Sequence, residues 1–155
     1  MSMAEQFSLL KLLVQAADAY ERALNPELRA GLGADLRPAH YAVFRYLRPG
    51  GSRVTALAEA AGMTQQSMGE LVTHLEKNGY VERAPDPADR RARLIVFTAS
   101  GRDAVALAGQ HIQRIEQAIE AELGTESLGA VRDALARLPT AIANHVDTRP
   151  GGGGK

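Results

Sequence analysis

Residues 53–98 read RVTALAEAAGMTQQSMGELVTHLEKNGYVERAPDPADRRARLIVFT. A short helical run ends at Gly62, and a second helix opens at Thr64 and runs to about Asn78. Thr64 suits the cap, because its hydroxyl can accept an N–H that the first helical turn leaves unpaired. Met68, Leu71, Val72 and Leu75 recur at three- and four-residue steps and give this helix one apolar face. Gln65, Gln66, Gly69, Thr73 and His74 fall mostly on the other faces. Gly69 weakens the helix by about 1 kcal/mol relative to alanine, but lets it approach another surface closely. Beyond Gly79, the segments Tyr80–Arg83 and Arg93–Phe97 are rich in β-branched and aromatic residues. They predict a hairpin with a long polar loop. Two helices, a tight turn and such a hairpin outline a winged helix-turn-helix.

Upstream, residues 4–24 contain no Gly or Pro and repeat apolar residues with helical spacing (Phe7, Leu10, Val14, Ala17, Leu24), which predicts an amphipathic helix. Residues 25–37 hold Asn25, Pro26, Gly31 and Gly33 and read as a loop with at most one helical turn after Pro26. Pro38 suits the first position of the next helix, where its missing N–H would be unpaired anyway. Pro49-Gly50-Gly51 ends that helix, Ser52–Val54 can form a very short strand, and Thr55 can cap the helix carrying Leu57, Ala58 and Ala61.

Downstream, Thr98 or Ser100 caps a long helix to about Leu123, with Val105, Leu107, Ile112, Ile115 and Ile119 as its stripe. Gly124-Thr125 breaks it. A final helix from near Glu126 turns Leu128, Val131, Leu135 and Leu138 inward, with a kink or restart at Pro139 before Ile142 and Val146. Residues 147–155, rich in glycine, read as a flexible tail. The fold class is therefore mainly α with a small β-wing.

The chain of 155 residues is long enough for a core without staples. It has no cysteine, so thiolate metal sites and thiol redox chemistry are excluded. No apolar run approaches the roughly 20 residues that span a bilayer, and the N-terminus lacks a secretory signal pattern. These features predict a cytoplasmic protein with no membrane partner. Formal net charge is zero, yet Arg37 to Asp103 holds ten basic against seven acidic residues. A basic centre between acidic ends suits a polyanionic partner, weakly.

Double-stranded DNA is the partner this arrangement suggests. Gln65 and Gln66 occupy the first turn, where such helices meet base edges, and glutamine can pair with adenine N6 and N7. Thr64 and Ser67 can bond phosphates at the helix N-terminus. Arg90, Arg91 and Arg93 cluster on a loop whose folding does not need them, and an arginine there can enter a narrow minor groove. Arg53 and Lys77 are phosphate anchors or ordinary surface charges. Polar solvation of the helix, or a loop salt bridge of Asp89 worth at most about 1 kcal/mol, are the plainer readings. Glu70 could accept from a cytosine, pair with a cation or repel phosphates. The four histidines (His40, His74, His111, His145) form no i+3 or i+4 pair, so a metal would need separate elements to converge, as His40 and His111 could. No metal, cofactor or catalytic motif stands out, and catalysis has no named residues behind it.

The chain resembles the MarR family of bacterial transcription regulators from about residue 5 to 146. The most specific part is DPADRRARLIVFTASG at 86–101, similar to the family's wing; AEAAGMTQQSMGELVTHLEKNGYVER at 58–83 is similar to its helix-turn-helix. The resemblance implies a homodimer built by flanking N- and C-terminal helices (1–36 and 99–146) around a DNA-binding lobe (37–98). It implies that Thr64 opens the recognition helix, that Arg91 enters the minor groove, and that Asp89 orients it. It also implies repression at a pseudo-palindromic operator, relieved by a small phenolic or carboxylic ligand. Tyr20, His40, Tyr41, Phe44 and His111 are the candidate ligand residues, unless these aromatics are simply core. The departure is at Glu70 and Gln65, where many members carry a basic residue. A winged-helix protein-interaction module that does not bind DNA is the alternative.

Overall fold

Helix-breaking residues are overridden wherever an apolar stripe continues past them. In the computed structural model, which describes residues 8–33 and 35–148, α1 runs Leu9–Leu32 straight through Pro26 and Gly31. The loop expected over residues 25–37 is thus reduced to the residues after Leu32. Leu24 and Leu28, one turn apart, are buried, and Leu32 continues the step. That burial outweighs the helix penalty of Pro26, whose lost partner is the carbonyl of Arg22, an exposed residue that water can serve. Residues 4–7 of the expected helix lie outside the described residues, as does the tail from residue 149.

The order continues as α2 (Pro38–Tyr46), α3 (Val54–Ala61), α4 (Gln65–Lys77), β1 (Val81–Asp86), β2 (Asp89–Phe97), α5 (Ala99–Leu123) and α6 (Thr125–Asp147). Pro38 does stand at the first position of α2. The cap of α3 is Arg53 rather than Thr55, and its side chain makes no capping bond. The short strand at residues 52–54 shrinks to one bridge, Ser52 pairing with Ile95, because Val54 is already helical.

The described residues divide into two compact units between Gln113 and Arg114. In the first, α4 packs on α2, α3 and β1. Val43, Met68, Val72, Leu75 and Ile95 are fully buried at the centre, with Leu57 beside them. Thr98 caps α5: its hydroxyl accepts from Gly101 N–H at 3.1 Å and donates to the Gly79 carbonyl at 2.5 Å, tying α5 to the end of α4.

The wing is more fully paired than the sequence predicts. Strands β1 and β2 are antiparallel and reach to Asp86 and Asp89, leaving only Pro87-Ala88 as the turn. Asp86 Oδ1 accepts the Ala88 N–H at 2.9 Å, which closes the turn and draws the strands together. Register then shifts: Pro85 faces Arg93 and Asp86 faces Asp89. Arg90, Arg91 and Ala92 therefore bulge from β2 with no residue of β1 opposite them.

In the second unit, Arg132 bridges to Glu116 at 2.6 Å, joining α6 to the last part of α5. Helix α6 passes through Pro139 without restarting, and none of its residues is buried. The inward stripe expected of this helix is corrected accordingly. Leu128 and Leu138 are half-buried, while Val131 and Leu135 are exposed in the single chain. Exposure also explains Pro139, since the carbonyl it leaves unpaired meets solvent.

Candidate nucleic-acid interface

The turn between α3 and α4 is set by Gly62, whose φ of 65° and ψ of 34° lie in the left-handed region where a side chain is disfavoured. Met63 N–H then reaches back to the Ala58 carbonyl at 2.8 Å, closing α3 and aiming the chain into α4. Thr64 caps α4, accepting Ser67 N–H at 3.1 Å, and its hydroxyl donates to Ser67 Oγ at 2.9 Å. Because Met68, Val72 and Leu75 face the core, Gln65, Gln66, Glu70 and Thr73 are left exposed. Neither glutamine side chain bonds to another described residue. Lys77 lies in an open depression on this surface together with Gln66, Gly69, Glu70, Thr73, His74 and Arg83.

Arg53 behaves differently from its neighbours on the basic surface. Its Nε and Nη2 donate to Asp86 Oδ2 at 2.9 and 2.7 Å, and Nη2 stands 3.9 Å from Asp89. The residue thus clamps the start of α3 to the wing turn. The Ala88 N–H and then the Arg53 guanidinium hold the Asp86 carboxyl below the ordinary aspartate range. Asp89 meets Arg91 through the backbone, accepting its N–H at 3.0 Å, so any orienting role runs through the turn and not through a guanidinium pair. The guanidinium groups of Arg90, Arg91 and Arg93 make no hydrogen bond or ion pair among the described residues, and all three residues are exposed.

Two contributors escape a reading of the sequence. Asp86 reads only as part of a polar turn, although its partner Arg53 lies 33 positions away. Arg83 on β1 reaches across to α4, with Nη2 3.3 Å from Thr73 Oγ1 and Nε 3.5 Å from Glu76. Its pairing locks the wing strand to the helix, and only three-dimensional proximity reveals it.

A cavity of about 200 Å³ lies within the first unit, lined by none of these residues. Leu24, Leu28 and Leu32 of α1 and Ala104, Ala108 and Ile112 of α5 line it, with Tyr41, Phe44 and Arg45 of α2. Of the five candidate ligand residues, Tyr41 and Phe44 line it, whereas Tyr20, His40 and His111 do not. His40 is directed elsewhere: its Nδ1 accepts the Arg37 N–H at 2.9 Å, and its ring stacks on His74. His111 is buried with Nδ1 3.7 Å from Glu27, so it does not converge with His40. Among the described residues no group of three or more His, Cys, Asp or Glu could hold a metal. Arg45, unremarked in the sequence, sits one helical turn from Tyr41 and gives the cavity a cation. Burial raises the Tyr41 phenol above its ordinary range. Phe44 links cavity and wing, meeting Tyr80 edge-on and stacking on Phe97.

A model of the MarR family matches residues 34–92. Transcriptional regulator HosA of Escherichia coli O111:H- is 41% identical over 76 residues, which is 48% of this chain and 56% of that protein. The chain thus spans little more than half the length of the first curated relatives it matches. The uncharacterized HTH-type transcriptional regulator YdcH of Bacillus subtilis (strain 168) is 30% identical over 112 residues, covering 69% of this chain and 74% of that relative. Among solved structures, that of NadR in complex with 4-hydroxyphenylacetate superposes with a TM-score of 0.72 at 28% identity, covering 85% of this chain and 92% of that one.

Proposed function

The chain belongs to the MarR family of winged-helix transcription regulators, and from that premise we propose that it represses transcription by binding a pseudo-palindromic operator as a homodimer in the cytoplasm. The family is one of regulators rather than enzymes. The observation that carries the proposal is the wing tip, where the guanidinium groups of three arginines, two of them on the bulge, have no partner among the described residues, and neither have the side chains of the two α4 glutamines. A folded monomer gains nothing from such an arrangement, whereas phosphates and a narrow minor groove would fill it. Residues 37–98 form the DNA-binding lobe on this reading. Residues 1–36 and 99–146 supply the dimer on this reading; Leu9 and Leu10 are exposed on α1, and, separately, Val131 and Leu135 on α6.

The cavity is the seat of the effector. A space of about 150 Å³ suffices for one benzene ring, and the three α1 leucines supply apolar walls. Arg45 would pair with a carboxylate and the Tyr41 hydroxyl would bond a second polar group. The ligand named for NadR carries both a phenol and a carboxylate, and a compound of that class fits these groups. A ligand that prefers a lobe spacing unsuited to DNA releases the operator by its differential affinity.

Fluorescence anisotropy with labelled duplex from upstream of the chain's own coding sequence tests the DNA arm. With about four phosphate contacts per protomer, the log–log slope of affinity against salt is expected near −7. Arg91→Ala should weaken binding to all sequences, and an unchanged affinity would remove the wing from the interface. Absent or salt-insensitive binding, with a stable protein partner, would favour a winged-helix interaction module instead. Titration with 4-hydroxyphenylacetate tests the effector arm, with operator release expected for the wild type and lost in Arg45→Ala.

A further inference from the structure

The outward stripe of α4 contains an acid whose side chain has no partner among the described residues. Gln66, Glu70, Thr73 and Lys77 follow at four-, three- and four-residue steps and so share one face of the helix. Glu70 is exposed, and its carboxylate makes no ion pair or hydrogen bond with any described residue. Two cations share its depression, but Arg83 is held by Glu76 and Thr73, and Lys77 stands two turns away. Beside it, Gly69 presents no side chain, and a Cβ added there would meet nothing within 4 Å. The surface around the carboxylate is therefore open to a close approach by another molecule.

A carboxylate on a face presented to DNA is repelled by phosphates unless it finds a donor. It accepts only. In the major groove the donors are the amino groups of cytosine and adenine, while guanine and the thymine carbonyl offer acceptors that repel it. We propose that Glu70 is a specificity-determining residue that accepts from cytosine N4 and fixes one C·G pair in each operator half-site. This rests on the DNA-binding reading above and deepens it. Gln66 precedes Glu70 by about 6 Å along the helix axis, and base pairs are about 3.4 Å apart. The cytosine thus lies within about two base pairs of any base that Gln66 contacts. Glu70 supplies choice more than affinity, since its charge lowers binding to every duplex that lacks the cytosine.

Selection of duplexes from a randomised pool by the full chain, followed by anisotropy on the selected site and its single-pair variants, tests the proposal. The wild type should select one C·G pair per half-site, and replacing it should weaken binding roughly five- to hundredfold. Glu70→Ala should bind the selected site and that variant within about twofold of each other, with other positions unchanged. Glu70→Gln should shift the preference at that pair towards adenine. If Glu70→Ala keeps the wild-type preference at every position, or tightens binding to all duplexes equally, the proposal is overturned while the regulator reading stands. If the wild type selects no duplex at all, the regulator reading falls and takes this proposal with it. Because the side chain is exposed and unpartnered, both variants should fold, which circular dichroism will verify.

Discussion

His40 accepts the Arg37 N–H through Nδ1 at 2.9 Å and stacks on His74 with ring centroids 4.4 Å apart. A proton on Nδ1 would set two N–H groups against each other, inside a residue that is 4% exposed. Burial first, and then the neighbouring His74, lower its pKa below the ordinary histidine value. The sign of the consequence follows from linkage. Above about pH 6.5 the ring is neutral in both folded and unfolded chains. As pH falls below that, the unfolded chain takes up the proton first, so stability is lost on acidification. Thermal melts from pH 8 to 5 should show a falling midpoint below about 6.5, and His40→Gln, whose amide oxygen can still take the Arg37 N–H, should flatten that fall. Equal slopes would remove His40 as the cause. The contact with Arg37 is local to the start of α2, but the stack on His74 is not legible in the sequence, because only the fold brings α2 and α4 together. The wing arginines were legible for the contrary reason. Clustered charge on a turn needs no tertiary knowledge to be noticed, whereas the Arg53–Asp86 clamp behind it does.

Elements were readable wherever local chemistry and burial agree, as at the Thr64 cap and the Met68, Val72, Leu75 face of α4. They were misread where tertiary contact overrode a local breaker, as at Pro26, or where a side chain closed a turn, as Asp86 does for the wing. The junction of wing and α5 illustrates how an element boundary can depend on one missing side chain. Gly101 lies in the first turn of α5 with an ordinary helical backbone, so conformational freedom is not its use. A Cβ there would stand 2.0 Å from the Tyr80 carbonyl oxygen and 3.0 Å from the Phe97 ring. That carbonyl also accepts Thr98 N–H at 3.1 Å, so it cannot move away without breaking the junction. Gly101→Ala should therefore destabilise the fold by about 1–3 kcal/mol, although alanine is the better helix former. Gly109→Ala, in the same helix with nothing within 4 Å of its added Cβ, should instead be neutral or stabilising by up to about 1 kcal/mol. Urea denaturation of the two variants makes the comparison, and similar midpoints would show that the junction yields more easily than its geometry implies.

At the scale of the molecule, α6 carries a row of exposed apolar side chains. Val131, Leu135, Ile142 and Val146 are 43%, 44%, 56% and 61% exposed and recur at helical steps along α6. A sequence reading turns such a stripe inward by default, because periodicity reports that a face is apolar and not which chain will cover it. Solitary soluble chains seldom leave contiguous apolar patches of this kind in water, and a second copy is the partner that the proposed regulator requires. Leu135→Glu separates that account from a purely structural one. Leu135 is not among the buried residues of its own chain, so a carboxylate there can reach solvent and should leave the helical content and the cooperative melt of the chain nearly unchanged. In sedimentation equilibrium the wild type should have twice the mass of the chain and the variant the mass of one. Losing the linkage between two lobes also forfeits the effective concentration of the second binding event, a factor of about 10²–10⁴. Operator affinity should therefore fall by that factor even though residue 135 is far in sequence from every candidate DNA contact. An unchanged mass, or a monomer that still binds the full operator as the wild type does, would refute the assignment of α6 to the dimer.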